Sequence, residues 1–176
     1  MSAHVYTAAD FRNAVEAGVQ QIAHTPGGRG PDSAFVLTDE DAGLAAELGV
    51  TVVTTVVQHR DDALTARLLK TQYAENLEVL RKHGVTLLIG SDLFPGTAAT
   101  EIAALAGSGL FSNLELLRRW CVTTPRAIFP ARRIGALEDG CEASFLVLRE
   151  NPLADMSATR SISLRVKQGV PIQLDR

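Results

Sequence analysis

Cysteine is scarce in this chain: Cys121 and Cys141 are the only two in 176 residues. Their spacing fits neither a zinc cluster nor a redox motif, which excludes a disulfide scaffold and predicts two unpaired thiols. Basic charge is not in excess either. A formal net charge of -3 offers no positive field for nucleic acid and no polybasic patch for a membrane. No apolar run approaches the ~20 residues of a membrane span. Met1-Ser2-Ala3-His4 leads straight into a folded pattern without a leader, so a cytoplasmic protein is expected. The Gly- and Pro-rich stretch from Thr25 to Pro31 contains neither a Walker pattern nor GxGxxG, so it reads as a plain active-site loop rather than a phosphate cradle. With 46% hydrophobic residues, what remains is an ordinary globular chain able to bury a core.

What is present is a rhythm. Val85 to Ile89 is rich in branched side chains and suits a strand covered on both faces, with Gly90-Ser91-Asp92 opening into a loop behind it. Val19 to His24 and Val50 to Val57 read as earlier strands. Helices fall between them: Thr7 to Gly18, a second from Thr38-Asp39-Glu40-Asp41 to Gly49, and a long one from Asp61 to His83. Another runs from about Thr97 to Ala106. Ser112 and Glu115 form a capping box for the next, through Trp120, and Thr124-Pro125 starts a short helix with Pro at its first position. Strand-then-helix repeats imply right-handed crossovers and a parallel sheet. Counting strand ends at His4, His24, His59 and Asp92 gives about four β-α units, half of a (β/α)8 barrel. From Ile134 the rhythm changes to strands at 144–148, 162–167 and 170–174, a small β appendage. The expected division is a half-barrel over residues 1–133 and the appendage over 134–176.

Chemistry in such folds gathers at the carboxyl ends of the strands. His4, His24 and Asp92 all stand there. Two imidazoles and a carboxylate suit a borderline divalent ion, zinc first, provided that neighbouring strands bring them together. A carboxylate beside a bound water can also carry its proton. His59, followed by Arg60-Asp61-Asp62, reads as surface, and His83 at a helix end reads as structural.

The ordered set Ala3-His4, Ala17-Gly18, Ile22-Ala23-His24, Gly84-Val85 and Gly90-Ser91-Asp92 resembles the carboxyl-terminal part of the amidohydrolase superfamily, particularly imidazolonepropionase-like and metal-dependent prolidase-like members. Thr123-Thr124-Pro125-Arg126-Ala127, the stretch from Ile134 to Gly140 and Asn151-Pro152-Leu153 continue it in the same order. The resemblance implies the second half of a TIM-like barrel followed by part of a small β-sandwich. It implies His4 and His24 as metal ligands after the fifth and sixth strands of the family barrel. Asp92 would be the strand-eight residue that binds metal and shuttles protons. The implied activity is hydrolysis of an amide or cyclic C–N bond through water activated by one or two zinc or other divalent ions, on a small amide or peptide-like substrate.

The chain departs from the family in three places. No two histidines here form the family's His-x-His, and the acidic or carboxylated-lysine ligand after strand four has no counterpart. Gly140-Cys141-Glu142-Ala143-Ser144 also stands where the family usually shows Gly-Lys-x-Ala-Asp. A rival reading therefore stands beside the first: a non-catalytic chain, truncated or an assembly partner, with an incomplete metal site. A third is an open flavodoxin-like sheet that binds a small ligand. Half a barrel leaves two sheet edges and an inner face uncovered, so a homo-oligomer or a complementing amino-terminal half is expected.

Overall fold

A computed structural model describes residues 1–57, 62–92 and 97–173. The chain forms two compact units, Met1–Leu110 and Phe111–Arg176. In the first, four short strands alternate with helices: β1 (Ser2–Ala3), α1 (Ala8–Glu16), β2 (Gln21–Ile22), α2 (Asp39–Glu47), β3 (Thr51–Val53), α3 (Asp62–Leu68), α4 (Gln72–Lys82), β4 (Thr86–Leu88) and α5 (Ala98–Ser108). All strand pairs are parallel, in the order β1-β2-β3-β4. This is a partial TIM-barrel-like unit with helices flanking a parallel sheet.

Local sequence sets most of these boundaries. Thr7 caps α1 by accepting from the Asp10 amide, and Asp10 returns the bond to the Thr7 amide. Thr38 and Asp41 close the same box on α2. Gly18, Gly49 and Gly84 leave the three helices at positive φ, which only glycine adopts without strain. One helix differs from expectation, and the strands expected over Val19–His24 and Val50–Val57 are shorter, at Gln21–Ile22 and Thr51–Val53. The long helix expected from Asp61 to His83 is two helices, parted where Thr71 leaves the helical region at φ -131 and ψ -109. Neither glycine nor proline breaks it. The tertiary bonds of Gln72 and Asn76 described below fix the orientation of α4 instead, overriding a continuous helical propensity.

The sheet has two distinct faces. Ala3, Ile22, Val52 and Leu87 lie in register across it, and the last three are almost fully buried. Burial of each such side chain contributes roughly 1.5–3 kcal/mol. The preceding register row is Ser2, Gln21, Thr51 and Thr86, which point to the opposite face because strand side chains alternate. Ser2 and Thr86 are exposed and Gln21 and Thr51 half-buried. Within 85–89, only Thr86 reaches solvent freely. Val53 and Leu88 share that face with Thr51 and Thr86 but are half-buried and buried, so within the run from Val85 to Ile89 it is Thr86 that is left open to water.

In the second unit Ser112 and Glu115 form the expected capping box for α6 (Asn113–Arg118). A wide π-turn over Arg119–Thr123 leads into α7 (Thr124–Ile128), with Pro125 in its first turn. A separate antiparallel sheet follows, from β5 (Phe145–Leu148), β6 (Ile162–Lys167) and β7 (Val170–Ile172), in that order. Cys121 and Cys141 are both free thiols. Among the described residues, no helix is long and apolar enough to cross a membrane.

Candidate functional site

The candidate site is the carboxyl edge of the parallel sheet. His4 follows β1 directly and is exposed, whereas His24, two residues beyond β2, is only 8% exposed. Their rings meet edge to face, with centroids 4.4 Å apart. Burial pushes the His24 imidazole below its ordinary pKa; the neighbouring His4 acts in the same direction and Asp92 against it. Burial thus disfavours the charged form of His24, and among the described residues its buried Nδ1 has no hydrogen-bond partner. Asp92 stands exposed beyond β4. His83 has the structural place expected, with its Nε2 2.7 Å from an Asp39 carboxylate oxygen at the base of α2. His59 lies outside the described residues.

The expected zinc site does not form. Among the described residues, no three His, Cys, Asp or Glu side chains come together as a metal-holding group. His4 and His24 are ring neighbours, and Asp92 acts on His24 through its charge. Between β2 and β4, the exit of β3 through Thr54 and Thr55 brings neither imidazole nor carboxylate. His4 and His24 meet, but among the described residues no third donor joins them in a metal-holding group. The reading of this chain as a hydrolase that works through water activated by one or two zinc or other divalent ions is corrected accordingly. The incomplete-site alternative is the one favoured.

The loop after His24 is built firmly. Gln72 of α4 accepts from the Gly28 amide at 2.9 Å and donates to Asp32 at 2.7 Å. Asn76, one turn on, accepts from the Leu37 amide and donates to the carbonyls of Pro26 and Phe35. Both side chains are fully buried. At Gly27 a Cβ would run into the Tyr73 ring, so the loop passes too close to α4 for any side chain there. These anchors were not read from the sequence. Two amides at i and i+4 on one helix face were the available signal.

Glu101 was also passed over. It lies on α5, fully buried, and its carboxylate accepts from the Thr54 hydroxyl and from the Val56 and Val57 amides, the latter two at 2.9 Å. Burial pushes its pKa up to about 7, against three hydrogen bonds that pull it down. The signal was its isolation, as the sole charged residue of α5. A separate cavity of about 480 Å3 belongs to the second unit and is lined by Leu117, Trp120, Ile134, Phe145 and Leu148.

No protein-family profile matches the chain. Ochratoxinase from Aspergillus niger is 28% identical over 171 residues, covering 89% of this chain and 34% of that enzyme. A solved amidohydrolase superposes at TM-score 0.74 with 27% identity, over 97% of this chain and 44% of its own. A prolidase solved with N-methylphosphonate-L-proline superposes at TM-score 0.76 with 24% identity, over 99% of this chain and 45% of its own. The chain is homologous to amidohydrolase-superfamily enzymes. It is strongly similar in structure to their hydrolases of C–N bonds, and it spans about a third of the length of the curated relatives it matches.

Proposed function

We propose that this chain is an assembly partner. It supplies the carboxyl-terminal portion of an amidohydrolase-like fold to a complementing amino-terminal half and is not a competent hydrolase alone. The observation that carries the reading is the open sheet. β1 and β4 are its outermost strands, and the register row Ser2, Gln21, Thr51 and Thr86 remains in contact with water. In a closed barrel both edges pair and that face turns inward. A complementing half would add what the relatives' longer chains contain, whereas a second copy would only repeat β1 to β4. His4, His24 and Asp92 are this chain's contribution to the edge that the partner completes, with the exposed Asp92 placed to carry a proton. Cleavage of a C–N bond in a small amide or peptide-like substrate then belongs to the completed fold.

Light scattering on the purified chain, with and without a co-expressed amino-terminal portion of a homologous prolidase, tests this beside assays on a panel of amides. Expected are no turnover by the chain alone and a heteromeric species when both portions are present. A monomer that hydrolyses an amide unaided would overturn it.

A further inference from the structure

Beyond Val53 the chain turns sharply. Thr55 has φ 43, in the left-handed region that a β-branched residue adopts only under strain. Such a residue persists only where its surroundings hold it, and here two restraints do so. From one side Glu101 takes the Thr54 hydroxyl and the Val56 and Val57 amides on a single carboxylate. From the other, the Thr55 hydroxyl donates to the Ala23 carbonyl at 2.8 Å. Ala23 is the residue before His24.

We infer that Glu101 is a positioning residue for the carboxyl edge: its carboxylate on α5 clasps the strained exit of β3, and through Thr55 that exit fixes the backbone that carries His24. The path crosses three elements, α5 to β3 to β2, with every link a hydrogen bond between buried or half-buried groups. Three donors converge on one carboxylate, so no backbone amide in the Val56–Val57 turn is left without an acceptor. The clasp explains why an ionisable residue occupies the buried face of α5 beside Ile102 and Leu105. It stands whether or not a partner completes the chain.

Amide exchange and ring-proton contacts by NMR on the full chain test it. In Glu101→Ala, the Val56 and Val57 amides should exchange at least about a hundredfold faster, while the Leu80 and Leu87 amides keep their rates. Unchanged exchange at 56 and 57, or equal acceleration everywhere, would overturn the clasp. Thr55→Gly relieves the strain but cuts the bond to Ala23, so it reads the second link even if Glu101→Ala does not fold. The expected result is continued protection at 56 and 57 with loss of the cross-relaxation signal between the His4 and His24 rings. An undiminished signal would show that His24 does not depend on this path.

Discussion

A carboxyl group sealed from water titrates against its surroundings, and Glu101 makes that measurable. Its pKa is raised to about 7, so in the folded state it holds its proton where the unfolded chain has released it. The stability it contributes is complete below the ordinary value of 4.5 and is lost as pH rises through about 7. His24 acts in the opposite sense: its lowered pKa means that stability is lost as pH falls below 6.5. Urea midpoints from pH 4 to 8 should therefore differ in slope between the native chain and Glu101→Gln, the variant lacking the decline toward pH 7. Parallel curves would contradict the assignment. Thiol titration of denatured, unreduced protein should find two free groups, as Cys121 and Cys141 are unpaired. Glu101 was legible in principle, as a lone ionisable residue on an otherwise uncharged helix, but its partners are a hydroxyl and two backbone amides 44 to 47 residues earlier. Sequence spacing does not reveal a bond of that kind.

At the level of elements, local chemistry was legible wherever a short-range rule applied. The capping boxes at Thr7 and Ser112 form as their spacing indicates, and Thr38, read as a helix start, closes a third. Thr38→Ala should cost about 1 kcal/mol in urea unfolding. Asp41 adds a longer tie, because its second oxygen takes the Arg12 Nε at 2.6 Å from α1. The division of residues 62–82 into α3 and α4 was not legible, since its cause is the loop from Pro26 to Leu37, distant in sequence. Asn76→Ala would strand three backbone groups of that loop at once. A loss of about 3 kcal/mol is expected, from buried groups left without partners, with no change in the unfolding slope. An effect below about 1 kcal/mol would mean that water replaces the amide readily.

For the whole molecule, the parallel half-barrel followed by an antiparallel sheet was readable from rhythm alone, because β-α repetition fixes crossover and order. The candidate site was readable only in part. The strand-end rule placed His4, His24 and Asp92 along one edge, but whether donors there close around an ion is a tertiary matter, and among the described residues no such group forms. The character of the open face was also hidden, since it depends on register. Thr86 lies on that face and is exposed, so Thr86→Arg should leave the urea midpoint within about 0.5 kcal/mol of native. The same change should abolish co-purification with a complementing half, because a buried unpaired guanidinium is costly at an interface. Retained pairing at native strength would place the partner elsewhere.

The strand order has a consequence for how the chain comes into being. Each of the four strands pairs with its predecessor in sequence, so the sheet can grow one crossover at a time as the polypeptide is made. No strand waits for a distant segment, and each loop to be closed is of modest length, which keeps the entropic barrier to each addition low. This unit can reach its native topology before meeting any other portion of the fold. Its encounter with a partner would then be a docking of two prefolded bodies, with a rate that depends on concentration rather than on chain rearrangement.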